Sequence, residues 1–155
     1  MGWPNLNGPT EVVALTYKKT LDSKFYCKNV LPIVKRNGNA LIGNNFTFQQ
    51  DGASNHTSKK TSDEINRLGI SSIPFNIWPP NSQDLNPLDY FFWNEIEIRL
   101  KQKNFNSHQE LVDKINECVK EVPLKMIQEA ISQFRSRVHA VLVNKGELFL
   151  NKNFQ

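Results

Sequence analysis

Apolar and polar positions change period along the chain, and the changes divide it into strands first and helices later. Gly2, Pro4, Asn5, Asn7, Gly8 and Pro9 make a turn-rich start. Val12, Val13 and Leu15 follow, and predict a buried strand over residues 10–16. Phe25, Tyr26, Val30 and Val34 share a helical face, with Asp22 or Ser23 as cap, so a helix is expected to about Lys35. Pro32 interrupts its second half, and residues 37–45 read as a loop. Phe46 to Gln50 alternates apolar and polar, which predicts a second strand stopping at Asp51-Gly52. Residues 57–68 read as a helix ended by Gly69, and residues 73–78 as a third strand closed by Pro79-Pro80.

Beyond Asn86 the period is helical throughout. Asn86 can cap, Pro87 suits the first helical position, and Leu88, Phe92, Ile96 and Leu100 mark one face. A second helix over residues 107–121 carries Leu111, Ile115 and Val119, with Val122 just beyond. Pro123 opens a third, with Ile127, Ile131, Phe134, Val138 and Val141 in register until Gly146. Strands alternating with helices, then a helical tail, predict an α/β domain with a partly parallel sheet. No repeat or low-complexity block interrupts it.

Composition narrows the class. At 155 residues with 39% hydrophobic and 22% charged positions, the chain can bury a core and is not a disordered tail. Its longest apolar runs are four residues, far short of the roughly 20 needed to span a bilayer. No secretory leader is expected, and Cys27 and Cys118 make no disulfide framework. The expectation is an intracellular protein with no membrane partner. The net charge of +4 is compatible with a nucleic-acid partner without requiring one. It is unevenly spread: residues 1–50 hold six basic and two acidic side chains, residues 51–93 three basic and five acidic.

Within that acidic middle, Asp51 stands at the end of an expected strand and Asp89 in the first turn of an expected helix. Strand carboxyl ends of open α/β sheets face the ligand crevice, where both acids could converge. Two carboxylates at one site repel unless a cation joins them, and Mg²⁺ needs only one or two carboxylates beside water and phosphate oxygens. Position alone also fits a plainer reading. Asp51-Gly52 makes an ordinary turn, and Asp89 stabilises a helix N-terminus.

The residues around the two acids favour the first reading. Phe48-Gln49-Gln50-Asp51-Gly52-Ala53-Ser54-Asn55-His56 and Trp78-Pro79-Pro80-Asn81-Ser82-Gln83-Asp84-Leu85-Asn86-Pro87-Leu88-Asp89-Tyr90 resemble the two downstream signature blocks of the Tc–mariner transposases. Asn7-Gly8-Pro9-Thr10, Tyr26 to Leu31-Pro32, and Phe134-Arg135-Ser136-Arg137 with Gly146 extend the resemblance over nearly the whole chain.

The resemblance implies a ribonuclease H-like fold and DNA cleavage and strand transfer by an Asp-Asp-Asp/Glu triad holding two Mg²⁺ ions, with Mn²⁺ as substitute. Asp51 matches the second acid and Asp89 the third. Asp rather than Glu at 89, followed by Tyr90, leans towards mariner-like members. Two features depart from the pattern. Gln83 replaces a usual proline, and the first acid, borne on an earlier strand, has no counterpart. Glu11 falls in what resembles the third strand and is not promoted. The fold is thus expected to be ribonuclease H-like but truncated at the N-terminus, a partial catalytic domain over residues 1–155 without its helix-turn-helix modules. The resemblance also implies DNA as partner, a homodimer in the full-length protein, and a nuclear location.

Supporting roles follow for His56, which matches the family's histidine, and for Asp84, which holds the loop before the third acid. A solvated histidine at a helix start remains the alternative for His56. Lys59, Lys60, Arg135 and Arg137 are candidate phosphate contacts, although an exposed lysine pair is commonly just solvated, and residues 135 and 137 point to different sides of a helix. Trp78 and Trp93 fit base stacking or core packing equally. His56, His108, His139, Cys27 and Cys118 lack zinc-ligand spacing. Two functional classes stay open: a metal-dependent transposase catalytic domain, and a non-catalytic remnant acting as a DNA- or protein-binding module.

Overall fold

A computed structural model describes residues 8–10, 12–14, 21–101 and 103–145. Its contacts separate into two compact units, Met1–Pro80 and Asn81–Gln155. Among the described residues, no helix is long and apolar enough to cross a membrane.

In the first unit, α1 (Ser23–Phe25) runs into a π turn (Tyr26–Val30) and then α2 (Leu31–Ile42). Asp22 caps the start by accepting from the Phe25 N–H at 2.7 Å. The π turn explains why Pro32 does not stop the helix. A proline ring clashes with the carbonyl four residues back in a regular helix and offers no N–H. Here the Leu31 N–H reaches five residues back, to the Tyr26 carbonyl, and the widened turn places Pro32 in the first turn of α2. The helix therefore extends to Ile42, and the loop expected over residues 37–45 is confined to its end. Gly38 is part of the reason. A Cβ there would lie 2.5 Å from the tip of the Phe46 ring, so only glycine lets Phe46 pack against the helix.

β1 (Thr47–Phe48) and β2 (Ser71–Ser72) pair in parallel, Thr47 opposite Ser71 and Phe48 opposite Ser72. Between them lie α3 (Ser54–Thr57) and α4 (Lys59–Arg67), so the helix expected over 57–68 starts earlier and breaks at Ser58. Ser58 has extended backbone and caps α4 by accepting from the Thr61 N–H. The strand expected over residues 73–78 is corrected. Pairing occurs at 71–72 and ends with the Ile73 N–H donating to the Phe48 carbonyl. Pro74 then turns the chain, its carbonyl accepting from the Ile77 and Trp78 N–H groups, because proline cannot continue a ladder. Residues 12–14 are likewise not in a strand; residues 11 and 15–20 lie outside the described residues. Tyr26, Cys27, Leu31, Phe46, Ile65 and Ile70 form the core of this unit.

The second unit opens with a 3₁₀ turn (Gln83–Leu85) and a π turn (Leu88–Phe92), continued by α5 (Trp93–Leu100). Asn86 caps as expected, its Oδ1 accepting from the Leu88 N–H at 3.2 Å. α6 (His108–Glu121) starts at Ser107, whose hydroxyl accepts from the Glu110 N–H, while the Glu110 carboxylate accepts from the Asn106 N–H. The helix expected from Pro123 is two, α7 (Leu124–Ser132) and α8 (Phe134–Val143). Serine hydroxyls compete with the backbone at the join. Ser132 Oγ donates to the Glu129 carbonyl and Ser136 Oγ to that of Gln133, while the Gln133 N–H is shared between two carbonyls. Gly146 lies outside the described residues. Leu85, Phe92, Ile96, Cys118, Val119, Val122, Ile127 and Ala130 are buried in this unit.

Candidate functional site

Asp51 follows β1 by two residues, on the short link into α3. Its Oδ1 accepts from the Ala53 N–H at 3.1 Å and lies 2.6 Å from His56 Nδ1. His56 reaches back to Asp51 because α3 turns the chain within five residues. The histidine side chain is 18% exposed and the aspartate 59%. The pair therefore has a held, sheltered partner and an outward carboxylate. Among the described residues, Asp51 Oδ2 has no hydrogen-bond partner.

Two residues that the sequence did not single out complete this cluster. The Tyr26 ring lies against the His56 ring, centroids 4.6 Å apart, and its hydroxyl donates to Gln50 Oε1 at 3.0 Å. Gln50 Nε2 donates in turn to the His56 carbonyl. Burial pushes the Tyr26 hydroxyl well above its ordinary pKa, and the Asp51 charge pushes it further, so it stays a neutral donor. Only the adjacency of Gln50 to Asp51 hinted at either. Thr61 is a third such residue. Fully buried, it donates to the Asn55 carbonyl at 2.5 Å, which ties α3, the helix that carries His56, to α4.

In the second unit Asp89 is exposed in the π turn, and its Oδ2 accepts from Asn86 Nδ2 at 2.8 Å. Asp84 is buried in the 3₁₀ turn, and its carbonyl accepts from Arg137 Nη1 at 3.2 Å. Arg137 also lies over the Tyr90 ring, 3.7 Å from the centroid. Burial lowers the Arg137 pKa from its ordinary value, against the pull of Tyr90 and Asp84. Burial raises that of Tyr90, against Arg137. Arg137 thus has a packing role within the unit, whereas Arg135, Lys59 and Lys60 are exposed. Trp93 is 44% exposed and meets Phe92 edge-on, while Trp78 is half-buried.

The structure joins Asp51 to His56 in one unit, and Asp84, Asp89 and Arg137 in the other. Each acid carries hard oxygen donors on the surface and is steadied by neighbouring groups, a chemistry that suits a divalent cation retaining most of its waters. Among the described residues, no three His, Cys, Asp or Glu side chains form a metal-holding group. The donor set fits a cation held by few protein ligands, not a closed cage.

The fold is that of a transposase catalytic domain of the ribonuclease H-like class. The catalytic domain of Mos1 mariner transposase superposes with a TM-score of 0.75 over 87% of this chain and 67% of that one, at 18% identity. The Mos1 strand transfer complex gives 0.73 over 96% of this chain and 50% of that one, at 15% identity. The Mos1 paired-end complex with Mn gives 0.74 over 85% and 39%, at 18% identity. Sequence relatives are found among transposases as well. The Tcb1 transposase of Caenorhabditis briggsae is 29% identical over 107 residues, 69% of this chain and 38% of that protein. The Tc1 transposase of Caenorhabditis elegans is 29% identical over 105 residues, 68% and 37% respectively. The Tc3 transposase of the same species is 26% identical over 154 residues, 92% and 46%. The chain is similar in sequence to the Tcb1, Tc1 and Tc3 transposases and in fold to the Mos1 catalytic domain. It spans less than half the length of these curated relatives. No protein-family model matches it.

Proposed function

We propose that this chain contributes to metal-dependent cleavage and transfer of DNA strands, with Asp51 and Asp89 as the catalytic, cation-holding acids. The observation that carries the reading is the Asp51–His56 pair. It joins an outward carboxylate, with one oxygen fixed and one open, to a sheltered imidazole at 2.6 Å. Mg²⁺ or Mn²⁺ at these carboxylates would supply positive charge against the scissile phosphate. The chain's own residues do the rest. His56 directs Nδ1 at Asp51 Oδ1, and the Ala53 N–H holds the same oxygen, so the open Oδ2 keeps a fixed direction. Asn86 steadies Asp89 by donating from Nδ2 to its Oδ2. Lys59, Lys60 and Arg135, all exposed, contact backbone phosphates, and Asp84 supports the turn that leads to Asp89. The same reading makes DNA the partner, a homodimer the working form of the full-length protein, and the nucleus its location.

Titration with Mn²⁺, read by the loss of the free-ion electron paramagnetic signal, tests this. Asp51→Asn retains an oxygen for the Ala53 N–H, so the local turn survives while the charge goes. Each of Asp51→Asn and Asp89→Asn should weaken Mn²⁺ binding. Unchanged binding in both would refute the assignment.

A further inference from the structure

The corner that carries Asp89 is gripped by a single guanidinium. Asn86-Pro87 makes the corner, with the 3₁₀ turn Gln83–Leu85 before it and the π turn Leu88–Phe92 after it. Arg137 on α8 donates to the Asp84 carbonyl on the near side and stacks on the Tyr90 ring on the far side. Its Nη2 donates to Gln133 Oε1 at 3.3 Å, one turn back on its own helical path. The Tyr90 hydroxyl donates to the Ala130 carbonyl at 2.7 Å, so the ring is pinned at both ends. Asp89 lies between these supports. The π turn beneath it bonds five residues apart, the Trp93 N–H to the Leu88 carbonyl, a register that is rare and mostly confined to single turns.

We infer that Arg137 is a positioning residue for Asp89. It fixes the direction of the carboxylate through the Tyr90 ring and the Asp84 carbonyl rather than by touching DNA or metal. The inference rests on the proposed cation-holding role of Asp89. Only a planar fork serves: it stacks through its face while its edge donates in two directions, which a lysine ammonium cannot do.

The test is Mn²⁺ affinity of the whole chain, measured well below the melting temperature of every variant. Arg137→Lys should weaken binding by about tenfold, the lower end of what losing an outer partner of a metal ligand costs. Tyr90→Leu, which removes the platform from the other side, should do the same. The Ala130 carbonyl still accepts from the Gln133 N–H in that variant, so it remains a foldable second probe. Val119→Ala is the control: it opens the buried face of α6 in the same unit and should leave affinity unchanged. Wild-type affinity in Arg137→Lys or Tyr90→Leu, with binding lost in Asp89→Asn, overturns the positioning role and leaves the acid's role standing. Equal weakening by Val119→Ala also overturns it, since the effect would then be general loosening. Undiminished binding in Asp89→Asn overturns both.

Discussion

Replacing Tyr26 by phenylalanine should destabilise the protein at neutral pH and stabilise it in strong alkali. At pH 7 the variant loses the hydroxyl that donates to Gln50 Oε1 at 3.0 Å, which should cost about 1 kcal/mol. The ring remains, so the packing against His56 and the core is kept. Burial and the neighbouring Asp51 charge raise the Tyr26 pKa above its ordinary value near 10. A raised folded-state pKa contributes stability that is complete below the unfolded value and is lost as pH rises towards the folded one. Above pH 10 the unfolded tyrosine releases its proton while the folded one keeps it. Wild-type stability therefore falls by about 1.4 kcal/mol per pH unit from this residue alone. Phenylalanine does not titrate, so the two stabilities should become equal about 0.7 units above the onset and reverse beyond it. Urea unfolding followed by far-UV circular dichroism at intervals from pH 7 to 11 measures the difference directly. Lysine titration is common to both proteins and cancels. A difference that stays constant across this range would show that the Tyr26 hydroxyl ionises as easily folded as unfolded, and would refute the burial argument.

Three further outcomes follow from single contacts. Thr61→Val keeps the shape but strips the donor from the half-buried Asn55 carbonyl; urea unfolding should show a loss of about 1 kcal/mol, and an unchanged midpoint would show that carbonyl needs no partner. Gly38→Ala gains up to about 1 kcal/mol of helix propensity but drives a methyl into the Phe46 ring, an overpacking worth about 1–3 kcal/mol, so the midpoint should fall. Recovery in a Gly38→Ala, Phe46→Leu double variant would confirm the cause, and a rise in the single variant would contradict it. Duplex DNA binding, followed by anisotropy of a labelled oligonucleotide, should weaken steeply with salt, and Lys59→Ala should reduce the log–log slope by about 0.9 if that lysine meets one phosphate.

Where periodicity and chemistry agreed, the sequence was a good guide. The face Leu111, Ile115, Val119 became the inner side of α6, with Val122 buried just after it, and Ser107 and Asn86 both cap as their residue types require. The parallel pairing was legible too, but not its position. Pro74 lies inside the apolar run at 73–78 and has no N–H to give a ladder, which left Phe75 and Ile77 exposed in a turn. Pro32 misled in the opposite direction. A π turn cannot be seen in apolar spacing, and it lets a helix pass a proline that would break a regular one. At the candidate site, the acids and His56 were visible because their spacing resembles a known signature. Tyr26, Thr61 and the Arg137–Tyr90 stack were not. Their partners lie 24, 6 and 47 residues away along the chain, and nothing in a local pattern connects them.

Fe²⁺ cleavage mapping tests the cation-holding role of Asp51 and Asp89 most directly. With ascorbate and peroxide, iron bound in place of Mg²⁺ releases hydroxyl radicals that cut the backbone beside its ligands. Fragments should end near residues 51 and 89 and be suppressed by excess Mg²⁺, with the cut near each acid lost when that acid becomes asparagine. Scattered fragments with no preference for these positions, or cuts that persist in both asparagine variants, would contradict it.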